Sequence, residues 1–245
     1  MQYHILNGDA LYQQIPSDKI EGNFIICREC LIDGPLSGNS LIEFWDNRAN
    51  FIDKLEGVRK GDYNEKVLPQ FQRVLEIPPK TPVNLWFGDD LFCHINLCFI
   101  LYLLDMTGHR ANVFLVKASL DNWQEFGGMS AEALVDAYQN KQAITPEAFK
   151  LMLDCWTAFQ QQDLVQLTQL SKKSTPNFPK FSEVIQAHID RFPKNGGLGR
   201  PQQSLLAIKT ALQTDDFGKI FQVFKEKEGI YGFGDLQVKA MLDEE

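Results

Sequence analysis

The sequence predicts an α/β fold: an N-terminal four-stranded, mostly parallel sheet with flanking helices, then an all-α region ending in a helix-turn-helix or winged-helix-like tail. Three observations predict it. Apolar, strand-like runs at residues 3–6, at 23–27 and from Val83 each stop at a polar tip: Asn7-Gly8-Asp9, Arg28-Glu29 and Gly88-Asp89-Asp90. Helix-like sequence follows each tip at once or after a short turn, the alternation of a parallel sheet with right-handed crossovers. Beyond about residue 120 strand signals nearly vanish, while helical patterns continue to the end.

The first strand leads into a short helix at 10–14. After the second, Asp33-Gly34-Pro35 marks a turn before helices at about 40–55 and 65–75. Pro78, Pro79 and Pro82 break the chain ahead of the third strand. The helix at 91–105 is apolar nearly all round, so it reads as buried, and a fourth strand follows at 111–116. Helices at 132–139, 145–161 and 164–170 come next, the first two opened by capping signals at Ser130 and Thr145-Pro146. A loop at 174–179 precedes a helix at 182–192, and Pro193-Lys194-Asn195-Gly196-Gly197 is the clearest linker. Short helices at 201–212, 217–226 and 234–242 close the chain. These breaks divide it into a Rossmann-like α/β domain (1–120), a helical connecting region (121–193) and a small helical domain (194–245).

Composition bounds the class. With 24 Lys/Arg against 32 Asp/Glu the net charge is −8, which disfavours unaided binding to nucleic acid or an anionic membrane. The longest apolar stretch, 91–104, is too short to span a bilayer and carries His94 and Asn96. Met1-Gln2-Tyr3 runs straight into a strand without a basic signal region. Five cysteines, an odd number in a chain long enough to build its own core, suit reduced thiols. A soluble cytoplasmic protein is the expectation.

In an open parallel sheet, ligands bind at the carboxyl ends of the strands. Asp9, Glu29, Asp33, Asp89 and Asp90 would crowd there, with Arg28, Arg48 and His94 within reach. Clustered carboxylates suit a hard cation such as Mg²⁺, or proton transfer at raised pKa. Asp9, Glu29 and Asp89 are therefore the candidate catalytic residues. Asn7, Gly8, Gly88 and Asp90 would frame a ligand, Gly34 would let the backbone approach it, and Arg28 and Arg48 would meet its anionic group. Backbone N–H groups after Gly8 and Gly88 suit a phosphate. The plainer reading of Asp9, Asp89 and Asp90 is helix capping, and that of Asp33-Gly34-Pro35 is turn chemistry. Neither glycine tip is a phosphate-loop or dinucleotide fingerprint.

Cys27-x-x-Cys30 with Cys93, His94 and Cys98 has the residue types of a zinc site. A strand would point Cys27 and Cys30 to opposite faces, however, and cysteine in an apolar helix packs as core, so zinc is disfavoured. His4, inside the first strand, reads as a core histidine, and Trp45, Trp86, Trp123 and Trp156 as core or interface. No G-x-S-x-G elbow supports hydrolase chemistry of that kind. From residue 186 on there are eight Lys/Arg and nine Asp/Glu, and the last helix offers Lys239 against Asp235, so the tail lacks the basic face of a DNA reader.

His4-Ile5-Leu6-x-Gly8-Asp9, Arg28-Glu29-x-Leu31-x-x-Gly34-Pro35, Leu85-Trp86-Phe87-x-Asp89-Asp90 and the run 97–104 resemble the bacterial family called domain of unknown function 1835. Trp156-Thr157-Ala158-Phe159, His188-x-x-Arg191-Phe192-Pro193 and Gly197-Leu198-Gly199-Arg200 resemble the C-terminal domain that commonly accompanies it. The resemblance covers nearly the whole chain. It implies that the strand-tip residues act as a set and that the tail is winged-helix-like, and it names no activity. Where related tails tend to carry Thr-Glu, this chain has Pro201-Gln202.

Two functions are expected from these observations. One is binding of a small phosphorylated or nucleotide-like ligand at the strand tips, with Mg²⁺-assisted phosphoryl transfer or hydrolysis. The other is a ligand-sensing regulatory or adaptor protein whose helical tail engages DNA or a protein partner.

Overall fold

The computed structural model describes residues 1–55, 57–118, 123, 126–173, 175–193 and 196–243. Ser174 of the expected loop, Lys194 and Asn195 of the expected linker, the expected domain boundary at 120, and Glu244 and Glu245 lie outside the described residues.

Strands β1 (Tyr3–Asn7), β2 (Asn23–Cys27), β3 (Val83–Trp86) and β4 (Val113–Val116) are parallel in the order β2-β1-β3-β4. The expected four strands gain a fifth. β5 (Gln142–Ala143) adds to the β4 edge antiparallel, pairing Ala143 with Phe114. Two exposed residues carry no apolar alternation, so only tertiary pairing makes them a strand. Register aligns Ile5 with Ile25 and with Leu85, and Leu85 with Leu115.

The period of two splits the sheet between two cores. Leu6, Trp86 and Val116 face a smaller cluster with Leu11 of α1 (Asp9–Gln14) and Leu134 of α5 (Ala131–Gln139). Ile5, Leu85 and Leu115 face the large one, which takes in α2 (Leu41–Ile52), α3 (Leu68–Leu75) and α4 (Leu91–Met106). It also takes in α6 (Pro146–Gln160), α7 (Leu164–Leu170) and α8 (Phe181–Asp190). The same cluster runs on through α9 (Arg200–Leu212) and α10 (Phe217–Glu228) to Val238 of α11 (Asp235–Asp243). Residues of all three expected segments therefore share one core.

α4 is buried along most of its length, as its apolar composition requires. It packs against α3, α6 and α8. Capping fixes several helix starts: Ser40 accepts from Glu43 N, Asp90 from Cys93 N, Ser130 from Ala133 N and Thr145 from Ala148 N. The helix expected over 65–75 begins instead as a π turn, Tyr63–Val67, that runs into α3. The tail is helical, with no strand among its described residues. No described helix is long and apolar enough to cross a membrane.

Candidate functional site

Two ion pairs knit the carboxyl edge of the sheet. Arg28, just past β2, reaches Asp9, just past β1, with Nε and Nη2 donating to the two carboxylate oxygens at 2.7 Å each. Asp9 is the first residue of α1 rather than its cap, and the Arg28 guanidinium holds its carboxyl below the usual range. Glu29 and Arg48 form the second pair, with both side chains fully buried. Arg48 Nε and Nη2 donate to Glu29 at 2.9 and 2.7 Å, while Nη1 donates to Asp33 O at 2.6 Å and Nη2 also to Cys30 O at 3.0 Å. The Tyr63 hydroxyl donates to Glu29 Oε1 at 2.8 Å, and burial beside that carboxylate pushes the phenol pKa up. The structure thus brings Glu29 and Arg48 together, and their hydrogen-bonding capacity is taken by each other, by the 30–35 loop and, for Glu29, by Tyr63. They are joints of that loop, with neither side chain open to a ligand.

The tip of β3 is closed in a different way. Asp90 caps α4, and Gly232, just before α11, lies so close that a Cβ there would stand 2.1 Å from Asp90 Oδ1. Gly232 has φ +65°, a left-handed conformation that disfavours other residues. The tail therefore seats on the α4 N-terminus where a phosphate had been expected, and the Asp90 carboxylate already occupies that N-terminus. Gly232→Ala is expected to cost about 2 kcal/mol or more from strain and clash. A lowered thermal midpoint, with amide shifts concentrated around Asp90, would check it. At the β1 tip Gly8 takes φ +100°, but α1 has only six residues and offers a weak anion cradle. Asp89 faces Lys117, past β4, at 3.7 Å. Asn7 donates to Cys93 Sγ and accepts from Asn96, which also donates to Glu29 O.

The cysteines weighed as a zinc set do not gather. Cys27 and Cys98 are buried, Cys98 against Met152, while Cys30 lies by Asp33, and burial pushes the Cys27 and Cys30 thiols well up. Among the described residues no three His, Cys, Asp or Glu side chains come together as a metal site, for zinc or for Mg²⁺. His4 is a core histidine, accepting from Trp86 Nε1 at 3.1 Å.

Space is left on the β2 side. A cavity of about 800 Å³ lies between the loop after β2 and the helical tail. Cys30 to Gly34 line it from the loop, Phe51 and Leu55 from the end of α2, and Phe159 from α6. His188, Arg191 and Phe192 line it from the end of α8, and Phe233, Leu236, Gln237 and Lys239 from the tail. Asp33 is the pivot: its Oδ1 accepts from Arg191 Nη2 and its Oδ2 from Gln237 Nε2 at 2.6 Å. Arg191 Nη1 also donates to Ile32 O at 2.9 Å, and its guanidinium lies over the Phe233 ring. Gly199 presses against the Arg191 carbonyl, where a Cβ would stand 1.9 Å from the oxygen.

Of the residues expected to frame or act on a ligand Gly34 lines this cavity, as does Asp33 of the expected carboxylate cluster, while Asp9, Glu29 and Asp89 do not. Gly34 is needed there, since a Cβ would stand 2.5 Å from the Phe51 ring. Sequence reasoning assigned no role to His188, Arg191 or Gln237, and none to Tyr63 or Asn96. The first two were visible as a His-x-x-Arg-Phe motif, and the others carried no local signal. Compared with known protein families, curated proteins and solved structures, the chain shows no match.

Proposed function

We propose that the protein binds a small organic molecule in the cavity between the β2–α2 loop and the helical tail, and that it works as a ligand sensor. One observation carries this. Residues 30–34 of the motif from Arg28 to Pro35 and residues of the motif from His188 to Phe192, far apart in the chain, meet as adjoining walls of one cavity. Its size suits a small molecule, and it lies at the carboxyl end of β2, the side of an open α/β sheet where ligands collect. The resemblance to domain of unknown function 1835 and its companion domain draws on these two motifs, and it fits this reading without naming a ligand.

Binding is favoured over phosphoryl transfer because the charged groups proposed for catalysis are already paired. Asp9 holds Arg28, Glu29 holds Arg48 and Asp89 faces Lys117. Sensing follows from the shared wall: a molecule that touches both loop and tail stabilises the seated tail by its differential affinity for that arrangement. The order α9, α10, α11 is that of a helix-turn-helix or winged-helix unit, but in it Arg200 pairs with Glu228 and Lys209 with Asp215. A protein surface therefore suits it as partner better than DNA.

A thermal-shift screen tests the reading. A ligand at about 100 times its Kd should add about 2.7 kcal/mol, raising the midpoint of a chain this size by roughly 5–10 °C. Ala240 is exposed at the cavity, so Ala240→Trp should crowd the space, keep the unliganded midpoint and sharply reduce the shift. A ligand that shifts both proteins equally binds elsewhere and overturns the proposal.

A further inference from the structure

We propose that the cavity selects a monoanionic carboxylate with an apolar or aromatic body, and that the carboxylate accepts a hydrogen bond from the Nε2–H of His188. The inference rests on the binding reading above and assigns its ligand class. His188 lines the cavity with 4% of its surface exposed, its ring held between Phe159 (centroids 4.6 Å apart) and Phe192 (5.2 Å, edge-on). Burial, together with nearby Arg191, brings its pKa down to about 3, so the imidazole is neutral. Nδ1 is sealed from solvent and has no hydrogen-bond partner among the described residues. Among the described residues no hydrogen-bond partner takes Nε2 either.

The tautomer follows from which orphan costs less. A sealed N–H without an acceptor is rarer, and so costlier, than a sealed lone pair. The proton therefore sits on Nε2, and the cavity presents a fixed donor with no acceptor among the described residues. Net charge fixes the rest. Asp33 and Arg191 neutralise one another, while Lys239 makes no ion pair among the described residues. One cation without an ion pair among the described residues and one neutral donor suit one negative charge. A phosphate dianion would bring a second charge that the described walls leave unmatched, and an amine would face a donor and a cation. Aromatic walls favour an apolar body over a sugar-like one.

Three probes sharing one body test this: 3-phenylpropionate, 3-phenylpropionamide and 3-phenylpropylamine, titrated calorimetrically at pH 7.5. The carboxylate should bind about tenfold tighter than the amide, and the amine not measurably. His188→Phe keeps the ring packing and should cut the preference for carboxylate over amide to threefold or less. Lys239→Met, at an exposed position, should also reduce it, and it serves if the first variant fails to fold. In the wild type, imidazole ¹⁵N shifts should show the Nε2–H form. The inference is overturned if amide or amine matches the carboxylate, if both variants keep the full preference, or if Nδ1 carries the proton. If none of the three binds while other molecules shift the midpoint in the cavity-dependent manner above, the ligand class alone fails. If no molecule does so, the cavity reading fails with it.

Discussion

Replacing Arg48 by methionine is expected to destabilise the protein by about 3–5 kcal/mol, a large part of the roughly 5–15 kcal/mol that holds an ordinary domain folded. The reason is the company that Arg48 keeps. Its guanidinium is fully buried, donates to both oxygens of Glu29 and ties the carbonyls of Cys30 and Asp33 to α2. Methionine fills similar space, so the loss is mainly the stranding of a buried carboxylate, whose remaining donors are the Tyr63 hydroxyl and Cys30 N. Urea unfolding at pH 7.5 should show the midpoint falling without a change in slope. Two further results identify the cause. Adding Glu29→Gln to the Arg48→Met variant should restore at least half the loss, because the orphan charge is gone. The single variant should also lose less on moving to pH 5, since an unpaired buried carboxyl has a raised pKa and takes up a proton readily. If the double variant is no better than the single, the pair does not act as a unit.

Acid should unfold the protein early. His4, His94 and His188 are all buried, and burial brings their pKa values down to about 4, 4 and 3. For His94 the neighbouring Asp89 and Asp90 oppose the shift without cancelling it, and for His188 the Arg191 charge adds to it. The unfolded chain takes up these protons near pH 6.5, while the folded chain refuses them until pH 4 or below. Between those limits the unfolded state binds more protons, so stability is full above about pH 6.5 and falls as pH drops through the window. Each imidazole contributes about 1–2 kcal/mol of loss by pH 5, hence roughly 3–6 kcal/mol together. His4 shows the mechanism most directly: its Nδ1 accepts the Trp86 indole proton, and a protonated ring has no acceptor to offer. Urea midpoints at pH 8, 6.5, 5.5 and 5 check this. Equal midpoints at pH 8 and 5 would show that the three rings titrate as in an unfolded chain. Asp9, held low by Arg28, adds its own acid sensitivity only below about pH 4.

The first four strands were legible because each is a short apolar run stopped by a polar tip, and most helices because caps such as Ser130 and Thr145 announce them. β5 was not legible, since two exposed residues pair only because β4 leaves an edge beside them. At the site the distinction is sharper. That Asp9, Glu29, Arg28 and Arg48 would lie near one edge follows from strand position alone. Which of them pair with each other depends on side-chain reach across 19 residues, and pairing turned candidate chemistry into joints of a loop. Asp33 read as a turn residue and is one, yet its carboxylate is also the meeting point of α8 and α11. Nothing local to Asp33 foretells that, and the cavity beside it was unreadable for the same reason.

Besides Arg48, several long-range bonds hold the 30–36 loop in place, and they have a consequence in time. They arrive from Gln160, Arg191 and Gln237, which are 124, 159 and 204 residues further along the chain than their partners. Closing loops of that length is slow, because the entropy of the intervening chain must be given up before any contact rewards it. On the ribosome, the strands that position this loop emerge long before the last of the residues that fix it. The cavity is walled on all sides only once α11 has joined the loop, α2, α6 and α8, which precede it in the chain.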